Sequence, residues 1–476
     1  MATSLCYAQN SKSNQEDFNA FRKGLHQDFN EFRKEIMQEY IEFVRNPWKE
    51  EQSVAPVPKP EVKPVPPVVV PKNDSVPVKD NPIVIEEVVK PKPVTPQPKP
   101  VEPIPEIKEN EDKVVEMMFY DTPCKVRYCD DNSYKVANVT EDGIADALST
   151  LSSSKFDNTI HDCLTLRENL KLCDWAYIQL LQAVTDKICG KSTNESTLLM
   201  AYVFIQSGYK MRLANDGTRL YMLFASRHLI YDVPSFYTNG ERYYGVTKLP
   251  SQLRICQASF RGEQKLSLQI TKQPLFVKDM SEARTITAKG FPSLKFTTSV
   301  NKNLLSFYET YPASYYDNDY MTQWSQYANT PMSAEITNTL YPAIKRLITG
   351  KSEYDSVNRI LNWVQTGFEY EYDDKIWGRD RTFFAEESLY YPYCDCEDRS
   401  VLLTRIIRDV LGLECILVYY PGHLATAVHF NSEVRGDHIL LNGKRYTICD
   451  PTYIGAPVGM TMLGMNNSKA NVILLR

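Results

Sequence analysis

The sequence has no run of about 18 apolar residues and no excess of basic charge. It contains 54 lysines and arginines against 59 aspartates and glutamates, which gives a net charge of −5. The first absence argues against a transmembrane helix, which needs about 20 apolar residues to cross a bilayer. The second argues against a nucleic-acid-binding protein, because that function needs a concentrated basic surface.

Histidine is scarce, and cysteine is not arranged for metal binding. The chain has six histidines and 11 cysteines. The cysteines are odd in number and lack the spacing of metal fingers, so they predict neither a disulfide framework nor a zinc finger. Most stand among apolar residues, and we expect these to be small, buried hydrophobic side chains.

Residues 51–114 contain neither an aromatic residue nor a glycine, although they hold 16 of the 29 prolines. Such a composition favours extended polyproline II and offers too little apolar surface to offset the entropy of the chain. We predict a disordered proline-rich linker over residues 49–114. A ligand for SH3-type domains is the alternative.

Residues 15–48 carry an eleven-residue repeat that predicts an amphipathic helix. Its units are EDFNAFRKGLH, QDFNEFRKEIM and QEYIEFVRNPW. Phe21, Phe32 and Phe43 share one position of the repeat, and this spacing gives an apolar stripe, as in a coiled coil. The stripe must be covered by a partner helix, by the globular body or by a membrane surface. We expect self-association or docking, because the polar face carries both signs of charge.

The N-terminus lacks the basic and apolar regions of a complete signal peptide. Cys6, Tyr7 and Ala8 nevertheless stand before Gln9 in the manner of a small-residue cleavage site. We therefore expect residues 1–14 to hold the remnant of an export signal, and the protein to be exported to the periplasm or cell envelope. An ordinary disordered N-terminus is the alternative.

The chain after residue 114 predicts a folded α+β body. Helical spacing covers about 140–212, strand patterns cover 219–300, and helical spacing returns over 333–369 and 394–411 before the final strands. This order predicts a domain at 115–250, a β-rich connecting region at 251–330 and a second domain at 331–476.

Residues 394–412, CDCEDRSVLLTRIIRDVLG, predict a helix with a cysteine at its beginning. One face is apolar, and Gly412 suits the position that ends a helix. Cys396 would lie at the N-terminus, where the dipole and free backbone N–H groups favour a thiolate and can bind an oxyanion. The carboxylates of Glu397 and Asp398 shift the pKa of the thiol the other way.

A histidine and an aspartate downstream complete a candidate catalytic group. His423 opens the predicted strand HLATAVHF, and Asp450 ends the predicted strand RYTICD. A thiol nucleophile needs an imidazole base, and the imidazole needs an orienting acceptor. The alternatives are an inactive structural core and a zinc site built from Cys394, Cys396, His423 and His429.

The segments YCDCEDRSVLL, YPGHLATAVHF and RYTICDPTYIGAP resemble the transglutaminase-like superfamily, a branch of papain-like thiol enzymes. They are similar to uncharacterised transglutaminase-like proteins of Bacteroidetes over about residues 333–457. The resemblance implies a cysteine-bearing helix packed on an antiparallel sheet and a catalytic triad of Cys396, His423 and Asp450. Cys394 departs from the family, where glycine is common, and a strained disulfide between Cys394 and Cys396 would silence the site.

The superfamily also indicates candidates for oxyanion binding. An upstream tryptophan or glutamine can supply the second donor there, and the candidates here are Trp363, Gln365 and Trp377. Tyr390, Tyr391 and Tyr393 precede the cysteine and are candidates for the substrate groove. Core packing is the alternative for all of these side chains.

A shift of 204 residues aligns the C-terminal core with an earlier stretch. The strand at 423–430 falls on residues 219–226, and NGKRY matches NGERY after a one-residue adjustment. We predict a degenerate copy of the same fold at 115–250, with Ser192, Arg219 and Thr247 at the triad positions and hence no activity. Coincidence between helix and hairpin patterns is the alternative.

The sequence therefore predicts an exported thiol enzyme that cleaves or transfers amide bonds of a peptide or protein. Hydrolysis is favoured over transfer to an amine, because most bacterial relatives resemble hydrolases. No metal or organic cofactor is implied. The alternative is a non-catalytic scaffold or binding protein of the cell envelope with an inactive transglutaminase-like fold.

Overall fold

The computed structural model describes residues 31–60, 63–70, 78–108, 111–130, 134–136 and 138–476. The predicted export remnant at 1–14, the first unit of the eleven-residue repeat and residues 27–30 of the second unit lie outside these ranges. The predicted α+β class is confirmed. In the described ranges, no helix is both long enough and apolar enough to cross a membrane.

The helices of the described residues lie mostly in consecutive runs along the chain. They are α1 (31–44), α2 (Glu141–Leu151), α3 (Asp157–Asn169), α4 (Asp174–Cys189), α5 (Asn194–Gln206), α6 (Lys302–Glu309), α7 (Thr322–Asn329), α8 (Ala334–Ile348), α9 (Glu353–Gly367), α10 (Asp373–Trp377), α11 (Ala385–Tyr390) and α12 (Cys396–Leu411).

The strands are mostly short. They are β1 (Lys49–Val54), β2 (Val68–Val69), β3 (Glu87–Val89), β4 (Lys113–Phe119), β5 (Thr122–Tyr128), β6 (Met211–Asn215), β7 (Leu220–Ala225), β8 (His228–Ile230), β9 (Ser235–Thr238), β10 (Glu241–Gly245), β11 (Gln252–Ile255), β12 (Arg284–Thr287), β13 (Lys295–Thr298), β14 (Ser314–Tyr316), β15 (Glu414–Tyr420), β16 (His423–His429), β17 (His438–Leu441), β18 (Lys444–Cys449), β19 (Tyr453–Ile454) and β20 (Asn471–Leu474).

Two larger sheets organise the body. The first is a closed barrel in the order β1-β11-β6-β7-β10-β9, and α5 packs on β7. The second has the order β17-β18-β16-β15-β20-β3, with α12 packed across β16 and β15. Alternate residues of β15 explain this packing, because Leu417 and Tyr419 join the main core while Ile416, Val418 and Tyr420 join a second core on the opposite face.

The two sheets share one arrangement of four strands. The order β9-β10-β7-β6 of the first recurs as β17-β18-β16-β15 in the second, and a helix precedes each set. The matching partners are Met211↔Phe224 with Cys415↔Val428, and Tyr243↔Ala225 with Tyr446↔His429. These pairs reproduce the shift of 204 residues and its one-residue adjustment, so the likeness extends to strand register.

Helix α1 packs on the body of its own chain. Ile36, Met37, Tyr40, Ile41 and Val44 are buried in the main core. The globular body therefore covers these five side chains of the apolar stripe, and this cover was one of the three alternatives.

The repeat misplaces one side chain of α1. It predicts Phe43 within the buried stripe, but this residue is 59% exposed. The buried residues follow the i, i+3, i+4 pattern of an ordinary α-helix, and Phe43 lies to one side of that stripe.

The prediction of a disordered linker is wrong for the described residues of 49–114. Strand β1 pairs with β11 and β9 in the barrel, β2 pairs with β19, and β3 adds a parallel edge to β20. An extended chain makes no hydrogen bonds within itself, so its backbone groups are free to pair with the edges of other strands. We call residues 49–60, 63–70 and 78–108 the strap.

Candidate functional site

The cysteine of the motif is the first residue of α12. Asp395 caps this helix, because its carboxylate accepts hydrogen bonds from the backbone N–H groups of Glu397 and Asp398, at 2.9 and 3.4 Å. In return, the carboxylate of Asp398 accepts a hydrogen bond from the backbone N–H of Asp395 at 3.2 Å. This reciprocal capping box starts the helix at Cys396 and places the thiol at its positive end.

The histidine and the aspartate of the motif form a buried pair. His423 is the first residue of β16, and its Nε2 lies 2.8 Å from Oδ2 of Asp450, directly after β18. The other oxygen of Asp450 accepts the backbone N–H groups of Thr452 and Tyr453, at 2.9 and 3.2 Å. Asp450 is therefore held in place from both sides and fixes the orientation of the imidazole.

Packing of α12 on β16 places the cysteine and the histidine on the same cavity. Ser400 Oγ donates to the carbonyl of Leu424 at 2.8 Å, which fastens the helix to the strand. Cys396, His423 and Leu424 line one small cavity of about 30 Å³. His423 Nδ1 is buried and has no hydrogen-bond partner, so it is the ring nitrogen that Asp450 leaves available.

The surroundings of the thiol keep it neutral in this conformation. Burial raises the pKa of Cys396 well above its ordinary value, and the carboxyl groups of Asp395 and Glu397 add to the rise. A hydrogen bond from the backbone N–H of Leu424 lowers it in part. The thiol would become more acidic if it were exposed to water, since desolvation is the largest cause of the shift.

The acidic side chains next to the cysteine are themselves perturbed. Burial raises the pKa of Asp395 to about 8, with a contribution from Asp373. Burial also raises the pKa of Glu397 to about 8, with contributions from Asp380 and Asp395. Protons shared within this group moderate the repulsion that its charges exert on a thiolate.

The structure places the two main oxyanion candidates away from the thiol. The Nε1–H of Trp363 donates to the carbonyl of Ile286 at 3.2 Å, inside the core. Gln365 Nε2 donates to the carbonyls of Asp450, Tyr453 and Ala456, at 3.0, 2.8 and 3.0 Å. The N–H groups of both side chains are therefore already bonded to backbone carbonyls. Gln365 holds the loop that carries Asp450.

The other aromatic candidates also lie outside the cavity. Tyr391 packs against Trp377 and Phe383. Tyr390 lines a separate cavity, and Tyr393 forms a bridge to Glu369. None of these three tyrosines lines the cavity of Cys396.

Sequence reasoning missed the side chains that do line the cavity. Tyr320, Trp324 and Tyr419 supply aromatic surface, with the rings of Trp324 and Tyr419 stacked at a centroid distance of 4.8 Å. Pro60 and Pro64 of the strap complete the wall. The one available signal is the position of Tyr419, four residues before His423. The strap prolines have no local signal at all.

The zinc alternative finds no cluster of ligands. His429 Nδ1 lies 2.9 Å from the carbonyl oxygen of Arg445, on the strand beyond the cavity. Cys394 is a free buried thiol whose Sγ lies 3.9 Å from the carbonyl oxygen of Glu369. Within the part of the chain that the structure describes, no three His, Cys, Asp or Glu side chains are grouped for a metal ion.

The corresponding positions of the first sheet hold no similar group. Ser192 lies in a turn, where its backbone N–H donates to Asp186 Oδ1 at 3.1 Å. Arg219 lies over the ring of Tyr221. Among the contacts described, none joins Ser192 to Arg219.

No protein-family model, no curated protein and no solved structure gives a significant match to this chain. The motifs and the geometry around Cys396 are therefore what indicate the function of the protein.

Proposed function

We propose that the protein is a transglutaminase-like thiol enzyme that forms an acyl-enzyme at Cys396 and hydrolyses amide bonds. The observation that carries the proposal is the buried His423–Asp450 pair, 2.8 Å apart, on the cavity that holds the first residue of α12. A nucleophile, a base and an orienting carboxylate from three elements are the parts that such chemistry needs.

The reaction follows from the roles of the two ring nitrogens. Asp450 holds the proton on Nε2 of His423, so Nδ1 accepts the proton of the Cys396 thiol. The sulfur then bonds to the amide carbonyl carbon, and the imidazolium returns the proton to the amine as the C–N bond breaks. Water attacks the thioester with His423 as base, which releases the carboxylic acid and restores the thiol.

The backbone at the start of α12 supplies a donor for the oxyanion. The first N–H groups of a helix have no partner within the helix. Asp395 takes those of Glu397 and Asp398, so the N–H of Cys396, in the same residue as the thiol, is the donor we assign to the oxyanion. Its partial positive charge would stabilise the negative oxygen of the tetrahedral intermediate.

The proposal also includes the type of fold, a second copy of that fold and the location of the protein. The packing of α12 on β16 and β15 supports a papain- and transglutaminase-like core. The repeated strand order and register support a degenerate second copy in the first sheet. Export to the cell envelope rests on the sequence of residues 1–14 alone.

A non-catalytic scaffold or binding protein is the second candidate. The observation in its favour is the state of the thiol, because Cys396 is only 2% exposed and burial raises its pKa. A purely structural cysteine would have both properties. The two functions differ in whether His423 controls the reactivity of Cys396.

The test is the rate at which iodoacetamide labels each cysteine, read by peptide mapping. It is run on the wild type and on Lys59→Ala, which removes an ion pair that holds the strap over the cavity. We expect His423→Ala to slow labelling of Cys396 about 100-fold in the more reactive of the two, since this is the usual size of a base's contribution.

The control is His429→Ala, on the same strand but outside the cavity. It should leave the labelling rate of Cys396 unchanged. If Cys396 is labelled no faster than the buried Cys449 in either background, or if His423→Ala has no effect, the enzyme proposal is wrong and the scaffold is supported.

A further inference from the structure

The strap crosses the cavity of Cys396. Pro60 and Pro64 line the same cavity as His423. The backbone N–H of Val65 donates to the carbonyl of Gly422 at 2.8 Å. The strap backbone is therefore hydrogen-bonded to the residue that directly precedes His423.

Gly422 is the residue that permits this approach. Its φ of +82° lies in the left-handed region, and a Cβ there would come 2.8 Å from the carbonyl oxygen of Lys63. A larger residue would push the strap away from His423. The closeness of the two backbones is therefore built into the sequence at the site.

The closed strap leaves no room for a substrate. Cys396 is 2% exposed and His423 is 1% exposed. The cavity of about 30 Å³ holds roughly one water molecule. A peptide reaches the thiol only if residues 59–60 and 63–65 move away.

Lys59 anchors the strap in a pocket of opposite charge. Its Nζ lies 2.9 Å from Oδ2 of Asp380, and its side chain is 11% exposed. Burial lowers the pKa of Lys59, but Asp380 and Glu397 outweigh burial and raise it above its ordinary value, so the ammonium stays charged. Glu397 directly follows Cys396 in α12, so the ammonium group of Lys59 lies near the thiol.

The pocket also suits the apolar stem of a lysine. The rings of Tyr308, Tyr311, Tyr327 and Phe384 line the cavity next to Lys59. A long side chain can lie along such rings while its ammonium reaches a carboxylate. On the other side, Tyr320, Trp324 and Tyr419 form an aromatic groove around Pro60 and Pro64, which is how proteins bind extended proline-rich peptides.

We propose that residues 59–60 and 63–65 occupy the substrate groove as an internal pseudosubstrate. It follows that the site takes extended, proline-containing peptides with a lysine side chain paired with Asp380, and that the strap must leave before such a peptide binds. This inference rests on the proposed function, because the groove binds a substrate only if the protein is an enzyme. The groove and its occupant are properties of the structure.

The first experiment compares two lysines of the strap in the full-length chain. Lys59→Ala removes the buried anchor, whereas Lys63→Ala changes an exposed side chain in the same segment. We expect iodoacetamide to label Cys396 at least tenfold faster in Lys59→Ala than in the wild type, and Lys63→Ala to match the wild type. Equal rates in all three proteins would overturn the inference. Circular dichroism checks that each protein is folded.

The second experiment supplies the strap as a separate peptide. The peptide VPKPEVKPVPP reproduces residues 57–67. We expect it to protect Cys396 of the Lys59→Ala protein from labelling, and the same peptide with alanine in place of Lys59 to bind at least tenfold more weakly. Equal protection by both peptides, or protection by neither, would contradict a lysine-specific groove.

The outcomes for the groove and for the enzyme are separate. If the peptide protects Cys396 but labelling does not depend on His423, the groove is supported and the catalytic proposal fails. If labelling depends on His423 in the wild type and Lys59→Ala changes nothing, the catalytic proposal is supported and the pseudosubstrate fails.

Discussion

Two of the three motif residues, Cys396 and Asp450, are held by contacts with residues close to them in the chain. A capping box sets Cys396 at the start of α12, and two backbone N–H groups hold Asp450. Gln365 adds a clamp that no motif reveals, since one amide group bonds three carbonyls of the Asp450 loop and accepts the N–H of Gly455 at 3.1 Å. The triad positions could be predicted from short motifs, whereas the clamp depends on a fold that brings α9 to that loop.

The buried carboxyl group of Glu386 in α11 makes stability depend on pH. Burial raises the pKa of Glu386 to about 7, and its carboxyl group accepts hydrogen bonds from the backbone N–H and the hydroxyl of Ser333. A carboxyl whose folded pKa is raised contributes stability below its unfolded pKa, near 4.5, and loses it as the pH rises through about 7.

We therefore expect Glu386→Gln to flatten the pH dependence of stability. Urea unfolding at pH 5 and pH 8 should show a loss of free energy in the wild type that is smaller in the variant by on the order of 3 kcal/mol. The amide cannot ionise but keeps an oxygen for Ser333. An unchanged difference between the two pH values would show that Glu386 does not titrate in this way.

At the scale of elements, α1 shows what a repeat can and cannot predict. The eleven-residue period correctly indicates a helix with an apolar stripe, but it assigns Phe43 and Phe32 to the same face of that helix. The structure buries Ile41 and leaves Phe43 59% exposed, because the body contacts only one side of the helix. The period describes the helix alone, and the contact surface depends on the partner.

This difference gives a matched pair of substitutions. Ile41→Ala should destabilise the protein by about 2 to 5 kcal/mol, since it empties space in the main core. Phe43→Ala should change stability by less than about 0.5 kcal/mol, although the residue is larger. Urea unfolding of both variants measures this. A greater loss for Phe43→Ala would mean that its side is covered, for example by a second copy of the chain.

At the scale of the whole molecule, the strap joins the two sheets. It contributes β1 to the barrel, β2 to a pair with β19 and β3 to the edge of the second sheet. Composition predicts disorder because it counts only the apolar surface that a segment can bury on its own. Here the partners lie hundreds of residues away, as in the hydrogen bond of Val65 to Gly422, so no local pattern reveals them.

The same long-range contacts link the architecture to the proposed activity. The strap ends that pair with β11 and with β20 hold the middle of the segment over Cys396. Release of Lys59 need not unfold either sheet, because the described residues 59–60 and 63–65 contribute no strand to them. Opening of the site is therefore a local event in a molecule that stays folded.

The most direct measurement is to find where an activated acyl ester leaves its acyl group. The wild type and the Lys59→Ala protein are mixed with the ester, digested and mapped by mass spectrometry. We predict a thioester at Cys396 that forms at least tenfold more slowly in His423→Ala and is absent from Cys396→Ala. Acylation confined to other side chains, with Cys396 unmodified in both proteins, would contradict a thiol enzyme.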